Sequence, residues 1–256
     1  MSQQKQTINR RKFLQFASTT GTAAALAACA DLEGIRLEEV VTDSVSTSGN
    51  VASDVSPKAD AEVHPIEALI ANFTQPSETN GDLLFFYGQV LNVNAEPIPE
   101  ATVEIWHTDS VGIYNHPQDP GTDNRDQTFQ FFGQTRSDTQ GWYIFRTIMP
   151  GIYEPRPRHI HYKVKLEGET LLTSQFYFSE DIADVQGESM FRAVGDNGDL
   201  LLMQLVSGEG KLFAQGRIVV DMGLGSGTLP LTPSQAEGPY YPVVSLVDYD
   251  NDLTRL

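Results

Sequence analysis

The sequence predicts an all-β domain, an antiparallel β-sandwich with little helix. Three observations lead there. Apolar residues recur at every second position in short runs rich in Val, Ile, Phe and Tyr. Gly, Pro, Asn and Asp separate the runs. The three-and-four spacing of an amphipathic helix is scarce.

The elements follow in order. Leu83 to Leu91 reads as a strand, closed by the turn Asn94-Ala95-Glu96-Pro97. Ala101 to His107 alternates, with Val103 and Ile105 on one face. Trp142 to Ile148 alternates after the turn Asp138-Thr139-Gln140-Gly141. Further strands are expected over His159 to Leu166, Leu171 to Phe178, Leu200 to Val206 and Leu212 to Met222. One short helix is expected over Ser179 to Gln186, with Ser179 as N-cap and Glu180 and Asp181 in its first turn.

The N-terminus carries an address. Asn9-Arg10-Arg11-Lys12-Phe13-Leu14 is a paired-arginine segment, and an apolar, small-residue stretch follows to Ala28. That stretch is too short and too weakly apolar to span a bilayer. It resembles a twin-arginine export signal over residues 1–28. Leu26-Ala27-Ala28-Cys29 resembles a lipobox, which makes Cys29 the expected lipidation site and the mature protein a membrane-anchored lipoprotein on the periplasmic or extracytoplasmic side. Residues 29–62, rich in Ser and Thr, read as a flexible tether, and 63–256 as the globular domain.

Charge excludes one class of partner. The chain holds 34 acidic and 17 basic residues. Four of the basic ones lie in the signal, so the remainder carries 13 against 34 and repels a phosphate backbone; no nucleic-acid partner is expected. The single cysteine rules out an intramolecular disulfide and a cysteine-rich metal site.

His159-Ile160-His161 is the most informative tripeptide. In a strand, Ile160, Tyr162, Val164 and Leu166 form one apolar face that belongs in the core. His159 and His161 then share the opposite face, within joint reach of one metal ion. Oxygen donors must come from elsewhere. Tyr114 and Tyr153 lie in turn-rich connections, where sites tend to be built. His107 and His116 are assigned structural roles.

With these residues in view, the run from Gly141-Trp142-Tyr143 to Pro150-Gly151-Ile152-Tyr153, then Arg156-Pro157-Arg158-His159-Ile160-His161, resembles the intradiol ring-cleavage dioxygenases, the protocatechuate and catechol dioxygenase family. Gly88-Gln89-Val90, Ala101 to Trp106 and Gly112-Ile113-Tyr114 match in the same order. The resemblance covers roughly residues 82–222 and implies a β-sandwich holding one non-haem Fe(III) through Tyr114, Tyr153, His159 and His161. It implies cleavage of a catechol between its hydroxylated carbons with O2, to a cis,cis-muconate-type diacid. By the same analogy Tyr153 is the ligand that stays and Tyr114 the catalytic one that leaves. Arg156 stabilises charge on the substrate, and Gln175, in the next strand, orients a site group.

One segment is out of order. The family opens its catalytic domain with Thr-Pro-Ser-Gln-x-x-Gly-Pro-Tyr, which this chain carries near its end as Thr232 to Tyr240. Residues 232–256 therefore look circularly permuted, and Gly238, Pro239 and Tyr240 become candidates for lining the substrate pocket. A tail that returns to its own pocket and one exchanged within a homo-oligomer both satisfy this reading. The rival reading is a lipid-anchored, non-catalytic β-sandwich for binding or adhesion, since Gly88 to Val103 and Asp138 to Tyr153 also resemble prealbumin-like modules.

Overall fold

The structure is a computed structural model and describes residues 65–225, 227–243 and 249–256. The expected signal (1–28), Cys29 and the tether (29–62) lie outside the described residues. Among those described, no helix is long and apolar enough to cross a membrane.

Two five-stranded sheets face each other. The first is built around β1 (Leu83–Asn92), which pairs along one side with β4 (Trp142–Ile148). On β1's other side lie β9 (Lys211–Gln215) and then β10 (Ile218–Val220), and β8 (Leu205–Gly208) extends the sheet from β9. The second sheet runs β3 (Phe132–Arg136), β2 (Thr102–Trp106), β5 (His159–Leu166), β6 (Glu169–Phe178), β7 (Leu202–Met203). Between them Leu84, Phe86 and Phe145 of the first sheet meet Val103, Ile105, Ile160, Val164 and Phe176 of the second, all fully buried. Both faces of β1 are apolar because its outer face is covered as well. Phe85 and Tyr87 pack there with Ile66, Leu69 and Ile70 of helix α1 (Pro65–Ile70).

Several sequence expectations need correction. The sandwich is not purely antiparallel: β9 and β10 run parallel to β1, and β7 runs parallel to β6. A tight hairpin forces antiparallel pairing, but these strands reach their partners by longer connections that leave direction free. The run Leu212 to Met222 is two strands. It breaks at Gly216, whose carbonyl accepts the Tyr143 hydroxyl at 2.6 Å. Leu200 to Val206 begins as the end of a 3-10 turn, Gly195–Leu201, before β7. β3 was not anticipated, because it is short, polar and buried only at its first two residues. After β6 comes a 3-10 turn, Ser179–Asp181, then α2 (Ile182–Gly187) and α3 (Ser189–Arg192); Ser179 makes no cap hydrogen bond to the helix.

The C-terminal stretch is woven into this chain's own domain. Thr232 exchanges hydrogen bonds with Val219 of β10. Gln235 N donates to Thr173 O along the part of β6 that β7 leaves unpaired. At the far end Leu253, fully buried, bridges the gap between the sheets: its N donates to Arg146 O, and its carbonyl accepts Gln130 N. The Arg146 guanidinium, almost fully buried on β4, is paired with Asp252.

Candidate metal centre

The site lies on the outer face of the second sheet. Register places Phe132, Trp106, His161 and Gln175 as successive partners across β3, β2, β5 and β6, with His159 opposite Tyr177 in the next row. Strand alternation has done what the sequence implied. Ile160, Tyr162 and Val164 are fully buried in the core, and His159 and His161 stand together on the other face. Both imidazoles are nonetheless buried, because loops and the C-terminal segment cover them. Trp106 stacks on His161 at 5.0 Å and 5° and fixes its plane.

The tyrosines arrive on two loops that touch. Tyr114 follows β2 and Tyr153 follows β4, each two residues after a glycine. A Cβ on Gly112 would lie 2.1 Å from the Ile152 carbonyl, and one on Gly151 would lie 2.2 Å from Gly112 N. Only glycine lets these backbones cross, and Gly112 also has φ +90°. Two aspartates missed in the sequence organise the loop. Asp109, fully buried, accepts Val111 N, Ile113 N and Asp126 N, while Asp119 accepts Tyr114 N at 2.8 Å and Gly121 N at 2.7 Å. Their only sequence signal was an acid in a turn-rich stretch, which usually means solvent.

Three donor atoms converge. His159 Nε2 lies 3.1 Å from His161 Nε2 and 3.2 Å from Tyr114 Oη. His159 Nδ1–H donates to Pro157 O at 2.7 Å, which leaves a lone pair on Nε2. That one lone pair faces Tyr114, His161 and Arg156 Nη1, the last also at 3.1 Å. Neighbouring ligands of one ion, bonded at roughly 2.1 Å, stand about 3 Å apart, so the spacing suits a shared cation. Electrostatics agree. Burial, and then the Arg156 charge, push His159 down to about 3; burial, His159 and Arg156 push His161 well below its ordinary value. Both rings are therefore neutral ligands at neutral pH. Burial raises the Tyr114 phenol against the pull of Arg156, so ionising it calls for a cation beside it. Two imidazoles and two phenols form a hard, nitrogen–oxygen set. Among the described residues no three His, Cys, Asp or Glu side chains gather as a metal site.

The two tyrosines differ in their surroundings. Tyr114 is buried with its hydroxyl on His159. Tyr153 is half-buried, and its hydroxyl meets that of Tyr240 at 2.5 Å. Its phenol is held up to about 12, first by that hydrogen bond and then by burial. Tyr114 is the anchored donor and Tyr153 the one with an alternative partner.

The segment from Thr232 to Tyr241 caps the centre. Gly238, at φ +78°, passes His161 so closely that a Cβ would lie 3.3 Å from its Cε1. Tyr240 packs on Tyr114, Tyr153 and His116. Tyr241 meets Trp106 edge-on and donates to the buried Glu104 at 2.9 Å, while Lys163 pairs with Glu237 and lies 3.7 Å over the Tyr241 ring. Pro239 is exposed. Arg156 Nη2 donates to Gln175 Oε1 at 2.8 Å, so the two expected second-row residues form one network with the donors. His107 is structural: buried, it bonds Thr108 O and Thr147 Oγ1, each at 2.7 Å. Trp106, Pro157 and Glu188, which pairs with Arg156, complete the site and were not picked out in the sequence.

A β-sandwich with a tyrosine–histidine donor cluster on one outer face defines a class, and the comparisons give it a family. A family model described as dioxygenase matches residues 57–191, more than half of the chain. The chain belongs to this dioxygenase family, on its intradiol branch. It is 31% identical over 129 residues to catechol 1,2-dioxygenase of Acinetobacter baylyi, covering 43% of this chain and 40% of the relative. It is 33% identical over 122 residues to the protocatechuate 3,4-dioxygenase beta chain of Burkholderia cepacia, covering 44% and 52%. The chain thus spans about half, or less, of the length of these relatives. Among solved structures, the dioxygenase domain of a dioxygenase carbohydrate-binding fusion from Streptomyces sp. SirexAA-E is 28% identical, with coverage of 57% and 84% and a TM-score of 0.44.

Proposed function

We propose that this protein cleaves a catechol-type aromatic between its two hydroxylated carbons, adding both atoms of O2 to give a cis,cis-muconate-type diacid. Tyr114, Tyr153, His159 and His161 would hold one non-haem Fe(III). The observation that carries the reading is the convergence of Tyr114 Oη, His159 Nε2 and His161 Nε2 at 3.1–3.2 Å. When bound, ferric iron supplies the Lewis acidity and electron sink that make a catecholate ring reactive toward O2.

The chain's own residues do the rest. Tyr153, whose hydroxyl rests on Tyr240, would accept a proton from a catechol hydroxyl. A phenol held up to about 12 keeps that proton firmly at neutral pH. Tyr114 stays, held by burial and by the Asp119 bond to its backbone. Arg156, braced by Gln175, faces the cluster with Nη1 and offsets negative charge on the ring. Gly238, beside His161, and Tyr240, packed on both tyrosines, would line the substrate side of the cluster.

The location proposed is outside the cytoplasmic membrane, through the signal over 1–28 and a lipid on Cys29. Fractionation of wild type and Cys29→Ala tests it: wild type should sediment with membranes and the variant should not. The reaction is tested by the visible spectrum of the purified protein, before and after adding catechol under argon, then with O2. A tyrosinate-to-iron band that shifts with catechol, followed by release of a diacid, supports the reading. A folded protein that stays colourless and resists iron defeats it.

A further inference from the structure

Glu188 lies between α2 and α3, with its side chain 9% exposed. One carboxylate oxygen accepts Arg156 Nε in a short ion pair. The other, Oε2, is buried. The Tyr177 phenol beside it is held far above its ordinary value, by burial first and by Glu188 second. The pair also fixes a geometry. With Nε held by Glu188, Arg156 directs Nη1 at His159 Nε2 and Nη2 at Gln175 Oε1. A planar guanidinium held at Nε, Nη1 and Nη2 by three different partners keeps a single orientation, which a free arginine on a loop does not.

A cavity of about 380 Å³ borders the same pair, between the 152–158 connection and α2. Its charged lining is Arg156 and Arg158 against Glu154, Asp181, Asp184 and Glu188. Arg158 is engaged twice by Asp181, and Arg156 by Glu188. Glu154 and Asp184 are exposed, adding negative charge that no lining cation offsets.

We propose that Glu188 is the positioning residue for Arg156, and that the neutral pair beside this acid-lined cavity makes the site select catechols with uncharged or cationic substituents over catechols bearing a ring carboxylate. The selectivity half rests on the ring-cleavage reading above. A carboxylate on the ring would find both arginines engaged and like charges around them, whereas a bare ring or an ammonium would meet no such repulsion.

Two measurements on the full chain test this. In the iron-free protein, the Arg156 Nε–H resonance, assigned with Arg156→Lys, should exchange slowly with solvent. Glu188→Gln should shift it and speed exchange while Glu188→Asp partly restores it, all three proteins being compared well below their melting temperatures. A resonance indifferent to Glu188→Gln overturns the positioning role. In the iron-loaded protein under argon, spectral titration gives Kd for catechol, 3,4-dihydroxybenzoate and 3,4-dihydroxyphenethylamine. The benzoate should bind about tenfold more weakly than the other two, the size of one partly screened like charge, and Glu188→Gln should close most of that gap. Equal affinities in wild type, or a gap untouched by Glu188→Gln, overturn the selectivity while ring cleavage stands. No spectral response to any catechol overturns ring cleavage and selectivity together, and the resonance then still decides the positioning role.

Discussion

Replacing Tyr240 by Phe removes one oxygen from the site and leaves the packing in place. Tyr240 keeps its ring against Tyr114 at 4.8 Å and His116 at 5.3 Å, so the fold should hold. What disappears is the 2.5 Å bond to Tyr153. That bond is the first cause of the raised Tyr153 phenol, so the substitution should bring Tyr153 from about 12 back toward 10. Tyr153 is partly exposed, so the shift does not convert fully into energy; a neutral hydrogen bond is worth roughly 0.5–1.5 kcal/mol. Two effects follow with opposite signs. Tyr153 ionises more easily, so iron is held at least as tightly. The released Tyr153 loses its resting partner, so turnover falls by about two- to twelvefold. The assay is iron stoichiometry, the visible band and kcat with catechol, compared for wild type and Tyr240→Phe. Loss of iron, or an unchanged kcat, would refute the argument that Tyr240 serves the mobile tyrosine rather than the metal.

Other outcomes are expected. His161→Ala should lose iron with the fold intact, whereas Ile160→Ala should keep iron and lose roughly 2–5 kcal/mol of stability by urea unfolding, because Ile160 is fully buried in the core. Leu253→Ala should also lose roughly 2–5 kcal/mol, for a residue three positions from the end; a loss below about 0.5 kcal/mol, the size of an ordinary surface change, would show the seam to be dispensable. Acid should destabilise the protein through His107, which burial pushes down to about 4 against its bond to Thr108. Between about pH 4 and 6.5 the unfolded chain binds the proton and the folded one does not, so stability falls as pH falls through that window, by on the order of 3 kcal/mol. A urea midpoint measured against pH should be flatter there in His107→Gln than in wild type.

Much of the site was legible because strand geometry is local. An alternation of two, read in residues 159–166, placed the histidines on one face and Ile160, Tyr162 and Val164 on the other without any partner strand. Gly112 and Gly151 could be quoted as motif residues, but their reason could not. It is a backbone crossing between loops 39 positions apart. The bond from Tyr153 to Tyr240, 87 residues on, was out of reach for the same reason.

The sequence by itself determined the strands whose two faces differ and the shared face of His159 and His161. These rest on side-chain period and residue chemistry, which need only neighbours. The tertiary structure alone decided that β9 and β10 lie parallel to β1, that the 232–243 segment closes its own chain's site, and which tyrosine is anchored. It alone brought Glu188 to Arg156 and Leu253 into the gap between sheets. Each of these is a contact between residues far apart in the chain, and its energy comes from burial and charge pairing that exist only once both sheets have closed.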